Sequence, residues 1–397
     1  MPQANPEPPA IGLPQARSAS VRLAALLHAG FILTGVVNTM LGPMLPLLSA
    51  RWGLSDERAG YLFMAQFSGS MLGVWGSSFL MTRRGHRASL MLGLGLMAWG
   101  SVTLLAASWL WGMLATLTFG AGLGFTIPTT NLLVSELNPG KRAASLSLVN
   151  FSWTIGAAAC PFFVSALLRQ HRSSHLLYGV AAMLILVAVS LTTVSIPDVG
   201  SAAESVVRAV PRSLWRSRWV PLLGALFFLY VGTEAGVGGW TATYAQRMEA
   251  GTGAMWVLMP SFFWATLLLG RLTAPLLLRS VRELTLAERG LALSTIGVGC
   301  LLAARNLSLI ALGVSLTGLG LSSVFPIAIA TLSRKFGPDA SRIAGVMFAL
   351  AGAGGATLPW LVGYTSTMAG NLKYGLLVFL FSCVAMLILN VLLAKPE

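Results

Sequence analysis

The sequence predicts an all-α membrane protein, with twelve transmembrane helices arranged as two six-helix bundles. Three observations lead there. Of 397 residues only 10% are charged and 55% are hydrophobic, and the mean hydropathy is +0.77, whereas soluble chains carry about 25% charged residues. Apolar runs follow one another along the chain, and about 20 residues at a rise of 1.5 Å suffice to cross a hydrocarbon layer of about 30 Å. No run alternates with period two over about ten residues, so a transmembrane barrel has no support. The composition excludes a water-soluble enzyme, a disordered scaffold and a disulfide-stapled secreted domain.

Taken in order, residues 1–20 are rich in Pro, Ala and Ser. They lack the apolar core of a signal peptide and are expected to form a disordered cytoplasmic tail. Spans are predicted near 23–48, 59–81, 89–107, 110–134, 143–168, 175–197, 219–246, 254–278, 285–304, 307–333, 343–368 and 372–394. Gly53, Asn138-Pro139-Gly140 and Gly337-Pro338-Asp339 supply turn residues where the pattern breaks. The longest polar stretch, Asp198 to Arg218, reads as a cytoplasmic linker at 198–218 between an N-terminal bundle, 21–197, and a C-terminal bundle, 219–397. Cys160, Cys300 and Cys383 all lie inside apolar runs, without the spacing of a zinc site or disulfide framework.

The net charge of +14 is distributed unevenly. With both termini on one side, eighteen of the 26 basic residues fall on that side, seven on the other, and Arg271 within a span. Lys and Arg are retained in the cytoplasm, so both termini are expected there. The basic surplus then serves topology and anionic headgroups, and no nucleic-acid partner is expected. A bacterial inner membrane is the default location.

The halves resemble each other. Gly122-Leu123-Gly124, Asn138-Pro139, Gly156 and Pro161 correspond to Gly318-Leu319-Gly320, Gly337-Pro338, Gly354 and Pro359. Parallel duplication of this kind suits a transporter with a central site between its halves.

At this point the chain resembles the major facilitator superfamily over all but its N-terminal tail. The segment after the second span, Thr82-Arg83-Arg84-Gly85-His86-Arg87, keeps the basic residues and glycine of that family's signature. It has Thr82 where the family carries an acid that helps latch the cytoplasmic gate. The resemblance implies gating roles for Arg83, Arg84, Gly85 and Arg87; Glu136 joins them as a residue within expected reach of Arg271. Gly42-Pro43-Met44-Leu45-Pro46, Tyr230-Val231-Gly232-Thr233-Glu234 followed by Trp240 and Tyr244, and Phe325-Pro326 resemble the fucose, galactose and glucose:proton symporter branch. The proton-carrying carboxylates of that branch align here with Gly42 and Ile127, so a coupling acid must come from elsewhere.

Of twelve acidic residues, Glu234 alone lies deep in a span, about fifteen residues into the seventh. A carboxylate there is costly when ionised and should face a cavity, which makes it the candidate for proton coupling. Gly232, Gly236, Gly238 and Gly239 surround it, permitting either bending of the helix or close approach of a neighbour. Helical spacing puts Tyr230, Glu234 and Thr241 on one face. Asn38, Gln66, Asn131 and Asn150 are uncharged amides inside apolar runs, each a ligand contact or interhelical glue. With Trp153, Trp264, Phe325 and Trp360 they suit a polyhydroxylated ligand whose C–H face stacks while its hydroxyls bind. Arg271 lies about seventeen residues into the eighth span, where it is expected near the cytoplasmic end, reaching Glu136 or loop carbonyls in a gate.

No nucleotide loop, metal-ligand cluster or activated nucleophile is present, so no enzyme, cofactor or metal is expected. The leading reading is a monomeric secondary transporter of a small neutral, sugar-like solute, coupled to protons through Glu234. The alternatives are a proton-antiport exporter of amphipathic compounds and an uncoupled facilitator.

Overall fold

The computed structural model describes residues 13–104, 108–168, 173–196, 217–249 and 253–394. Most of the 1–20 tail and of the 198–218 linker therefore lies outside the described residues. The N-terminal bundle comprises α1 (Leu13–Trp52), a long helix Asp56–Thr103 bent at Gly85 into α2 (56–84) and α3 (86–103), α4 (Trp109–Leu137), α5 (Arg142–Leu168) and α6 (Ser173–Ser190). The C-terminal bundle comprises α7 (Trp219–Met248), α8 (Met259–Leu277), α9 (Glu283–Ala303), α10 (Leu307–Phe336), α11 (Ala340–Ala369) and α12 (Leu372–Ala394). Nine of these twelve are individually long and apolar enough to span a membrane. The other three are the two limbs of Asp56–Thr103 and the shorter α6.

The predicted spans agree with the helices to within a few residues, with three instructive differences. Helix α1 starts at Leu13, inside the segment expected to be a disordered tail. Helix α8 starts at Met259, after a 3-10 turn at Met255–Leu258. Helix α10 is interrupted at Ser322-Ser323. Pro326 explains the last, because it has no N–H to donate to the carbonyl four residues earlier. Gly85 breaks Asp56–Thr103 with φ +74°, a conformation that a residue with a Cβ rarely adopts.

Large apolar side chains cover the outside. Trp75, Trp99, Phe162, Ile296 and Phe381 are all exposed, which in water would be a large liability and in lipid costs nothing. Between helices, small residues let backbones touch, the usual packing device where lipid removes the hydrophobic drive. A Cβ on Gly156 would collide with the α1 backbone at Ile32, and one on Gly354 with the α7 backbone at Phe228. These are the two glycines paired by the internal repeat, and they perform the same task in each half.

The halves meet along α1–α7, α2–α11 and α5–α8. A shift of six helices exchanges the last two pairs, as parallel duplication requires.

Candidate functional site

Glu234 lies at the middle of α7 and is the only described carboxylate more than two turns from both ends of its helix. Its Oε1 accepts hydrogen bonds from Arg271 Nη2 at 3.0 Å and from Tyr230 OH at 3.2 Å. Arg271 Nη2 also reaches Tyr230 OH at 3.4 Å. The side chains of Arg271 and Glu234 are 27% and 15% exposed. Phe325 of α10 lies over the Tyr230 ring with centroids 5.3 Å apart, and further aromatic contacts join Phe325 to Phe227 and Phe348.

This corrects the expected partner of Arg271. Its backbone is within two turns of the end of α8, but its side chain reaches Glu234 rather than Glu136 or loop carbonyls. Glu136 faces His86 instead, at 3.3 Å. Two helices place their charges together only in one register, and that register is not visible in either helix alone.

The glycines beside Glu234 serve packing in this structure. Helix α7 is continuous from Trp219 to Met248. A Cβ on Gly42 of α1 would lie 2.6 Å from Gly238 O, and one on Gly238 would lie 2.8 Å from the Trp264 ring.

The amides of the N-terminal half form two pairs. Gln66 Nε2 donates to Asn38 O at 2.9 Å and to Asn38 Oδ1 at 3.3 Å. Asn150 Nδ2 donates to Asn131 Oδ1 at 2.9 Å and to Leu146 O at 2.8 Å. Gln66 Oε1 and Trp153 Nε1 are buried with no hydrogen-bond partner, an acceptor and a donor whose desolvation is uncompensated. His28 Nδ1 and Ser152 Oγ are 2.7 Å apart and tie α1 to α5.

Aromatic residues bridge the halves. Trp153 of α5 and Trp264 of α8 meet edge to face with centroids 5.7 Å apart. Asn150 is one turn from Trp153 on α5, and Arg271 is two turns from Trp264 on the same face of α8. The amide pair and the ion pair therefore flank this aromatic contact on the side toward the chain termini. Two other expected ligand residues sit elsewhere. Thr241 is buried and donates to Val237 O of its own helix at 2.6 Å. Trp360 packs on Tyr61 and stacks on Tyr364 in the seam between α2 and α11.

That seam was not anticipated from the sequence. Asp56, at the start of α2, forms an ion pair with Arg247 at the end of α7 and accepts a hydrogen bond from Ser366 Oγ of α11. Glu57 N donates to Thr367 Oγ1 at 2.9 Å. A Cβ on Gly60 would lie 2.9 Å from Trp360 Cα. Ser261 of α8 donates to Ala158 O of α5 at 3.0 Å. These contacts between the halves, Asp56 with Arg247 and Ser366, Glu57 with Thr367 and Ser261 with Ala158, all belong to the end of the bundle away from the N-terminus.

At the opposite end, Arg83 lies over the Phe79 ring, Arg84 is exposed and Arg87 donates to Val194 O at 2.5 Å. Thr82 Oγ1 donates to Phe79 O of its own helix at 2.9 Å. The described residues include no cluster of three metal-ligating side chains.

Comparison with known proteins places this geometry. The model of the Major Facilitator Superfamily matches residues 27–287. An uncharacterised MFS-type transporter of Yersinia pestis is 23% identical over 365 residues, covering 91% of this chain and 92% of that protein. The glucose/mannose transporter GlcP of Bacillus subtilis is 21% identical, covering 85% and 86%. The crystal structure of a D-xylose-proton symporter superposes with a TM-score of 0.76 at 15% identity, covering 95% of this chain and 98% of that one. At that identity the likeness concerns the fold.

Proposed function

Because the chain belongs to the major facilitator superfamily and is thus a membrane transporter rather than an enzyme, we propose that it moves a small sugar-like solute by alternating access, with Glu234 carrying a coupling proton. The observation that carries this reading is one deep carboxylate, Glu234, held by Arg271 of α8, the helix whose Trp264 meets Trp153 of the other bundle. Asn131, Asn150 and Gln66 offer both donors and acceptors to hydroxyls, and Trp153 and Trp264 offer faces to C–H groups. The similarity to a glucose/mannose transporter and to a xylose-proton symporter agrees with a sugar-like solute.

The amides and aromatic faces suggested a neutral solute, with Arg271 assigned to a gate; the structure pairs Arg271 with the deep Glu234 instead. With the termini cytoplasmic, as the basic residues favour, the seam at Asp56 ties the bundles at the outer end. The gating set Arg83, Arg84, Gly85, Arg87 and Glu136 then lies at the inner end. The chain acts as a monomer in a bacterial inner membrane, since two bundles already make one transport path.

The test is uptake of labelled hexoses and hexose derivatives into protein-only liposomes under an inward proton gradient, with protonophore as control. Gradient-dependent accumulation supports the reading; no uptake of any sugar-like solute sinks it. The aromatic cluster Phe227–Phe325–Phe348 favours one other reading, export of amphipathic compounds by proton antiport. Resistance to such compounds in overproducing cells, without competition by sugars, would support that instead.

A further inference from the structure

We propose that the solute travelling with the proton is a monoanion, a sugar acid with one carboxylate, and that Arg271 receives this carboxylate when Glu234 takes up the proton. The inference rests on the reading of Glu234 as the coupling acid.

The argument is one of charge balance. Glu234 and Arg271 together are neutral, and each is the other's counter-ion. Around them, α7 contributes Tyr230, α10 contributes the Phe325 ring, and α12 contributes Ser382, bonded to Thr233. The charged side chains of the other packed elements stand toward helix ends: Arg22 in the N-terminal third of α1 and Arg51 in its last turn, Arg142 at the start of α5, Arg334 and Lys335 on α10, Arg342 beside Asp339 on α11, and Lys373 on α12. His28 of α1 is held by Ser152. No described group can therefore replace Glu234 as the partner of Arg271. Protonating Glu234 leaves a guanidinium unpaired within the membrane, one of the costliest arrangements a helix bundle can hold. A neutral sugar does not relieve that cost; a carboxylate does.

The geometry of Arg271 fits the role. Only Nη2 is engaged by Glu234 and Tyr230; Nε and Nη1 bond no described residue. A guanidinium presents its donors in a planar fork that takes a carboxylate through two parallel hydrogen bonds. Leu269, Leu272 and Leu276 are exposed and mark the lipid face of α8. Arg271 is on the other side of the helix, in line with Trp264, which meets Trp153 across the interface. The guanidinium thus opens between the bundles, where Asn150 is one turn from Trp153. A solute held by its carboxylate at Arg271 would place hydroxyls toward the amides of the N-terminal half. No covalent bond forms or breaks: one proton passes from water to the Glu234 carboxylate, one anion binds Arg271, and the loaded carrier has the net charge of the empty one.

The test uses the full chain in liposomes with labelled D-glucuronate, D-gluconate and D-glucose, varying the pH gradient and a potassium–valinomycin potential independently. Uptake of at least one acid should follow the pH gradient, be unchanged by the potential, and exceed glucose uptake by at least about tenfold, since the site leaves a charge unpaired with the neutral sugar. Arg271→Lys retains a cation without the fork and should raise the KM for the acid about tenfold while preserving dependence on the pH gradient. Glucose accumulation that responds to both the gradient and the potential, with both acids excluded, would overturn the inference and leave proton-coupled sugar transport standing. Acid uptake that responds to the potential would overturn the one-proton, one-anion exchange. Uptake of none of the three would overturn the inference together with the sugar reading.

Discussion

The two bundles share a packing plan and differ in the chemistry they hold. In the N-terminal half the embedded amides are paired with one another, Asn38 with Gln66 and Asn131 with Asn150. In the C-terminal half an acid, a base and a phenol meet at one point, Glu234, Arg271 and Tyr230. The glycines that seat α5 on α1 and α11 on α7 are the same device used twice. Duplication therefore explains the scaffold, and the difference between the halves is where function was added. Amides can recognise a solute without changing charge. An ion pair at this depth can exchange its partners, which is why the proposed coupling is assigned to the C-terminal half.

The sharpest way to break this comparison is Glu234→Gln. The variant imitates the protonated acid and cannot release a proton, so gradient-driven accumulation should fall to that of an uncoupled carrier while solute exchange persists. Measuring both in the same liposomes separates coupling from binding. Unimpaired accumulation would remove the special standing of the C-terminal half.

Next in size is the stability of the pair. Arg271→Gln leaves Glu234 without its counter-ion and should cost about 3 kcal/mol, the low end for breaking a buried pair because part of the arginine is exposed. The double variant Glu234→Gln/Arg271→Gln removes both charges and should recover most of that loss. Thermal unfolding in detergent measures the difference between the two variants. Equal destabilisation would mean that the charges do not depend on each other.

How much of this was legible in the sequence follows from what each feature requires. Spans such as α12 were legible to the residue, because a run of apolar side chains is a property of one segment. The correspondence of Gly156 with Gly354 was also legible, because duplication leaves it in the chain. The break of α10 at Ser322-Ser323 had its signal in Pro326, which was read only as part of a motif. The partner of Arg271 was not legible. It depends on how α8 is set against α7, and the 3-10 turn at Met255–Leu258 shifts that helix from its expected start. The seam at Asp56 joins helix ends far apart in sequence, Asp56 with Arg247 and Ser366, and no local pattern announces it.

A smaller effect sharpens the N-terminal side of the comparison. Gln66→Leu removes a buried amide whose Oε1 already lacks a partner. If that oxygen accepts a solute hydroxyl, the KM should rise about tenfold, the value of one lost hydrogen bond at a buried site, with the accumulation ratio at saturation unchanged. A change in coupling without a change in KM would place Gln66 with Glu234 and erase the division of labour.

The smallest expected effect concerns the seam that both halves share. Asp56 touches Arg247 and Ser366, yet nearly half of the Arg247 side chain is exposed, so the pair is worth at most about 1 kcal/mol. Asp56→Asn should therefore shift the balance between the two openings by no more than about fivefold. Spin labels at the exposed positions Arg51 and Lys373, with the three cysteines replaced by alanine, would report it as growth of a longer-distance population. The apolar part of the seam gives the contrast. A Cβ on Gly60 would press on the Trp360 backbone at 2.9 Å, so Gly60→Ala should favour the longer distances more strongly than Asp56→Asn. If instead the charge variant opens the seam more than the steric one, electrostatics rather than close packing holds the bundles together at this end.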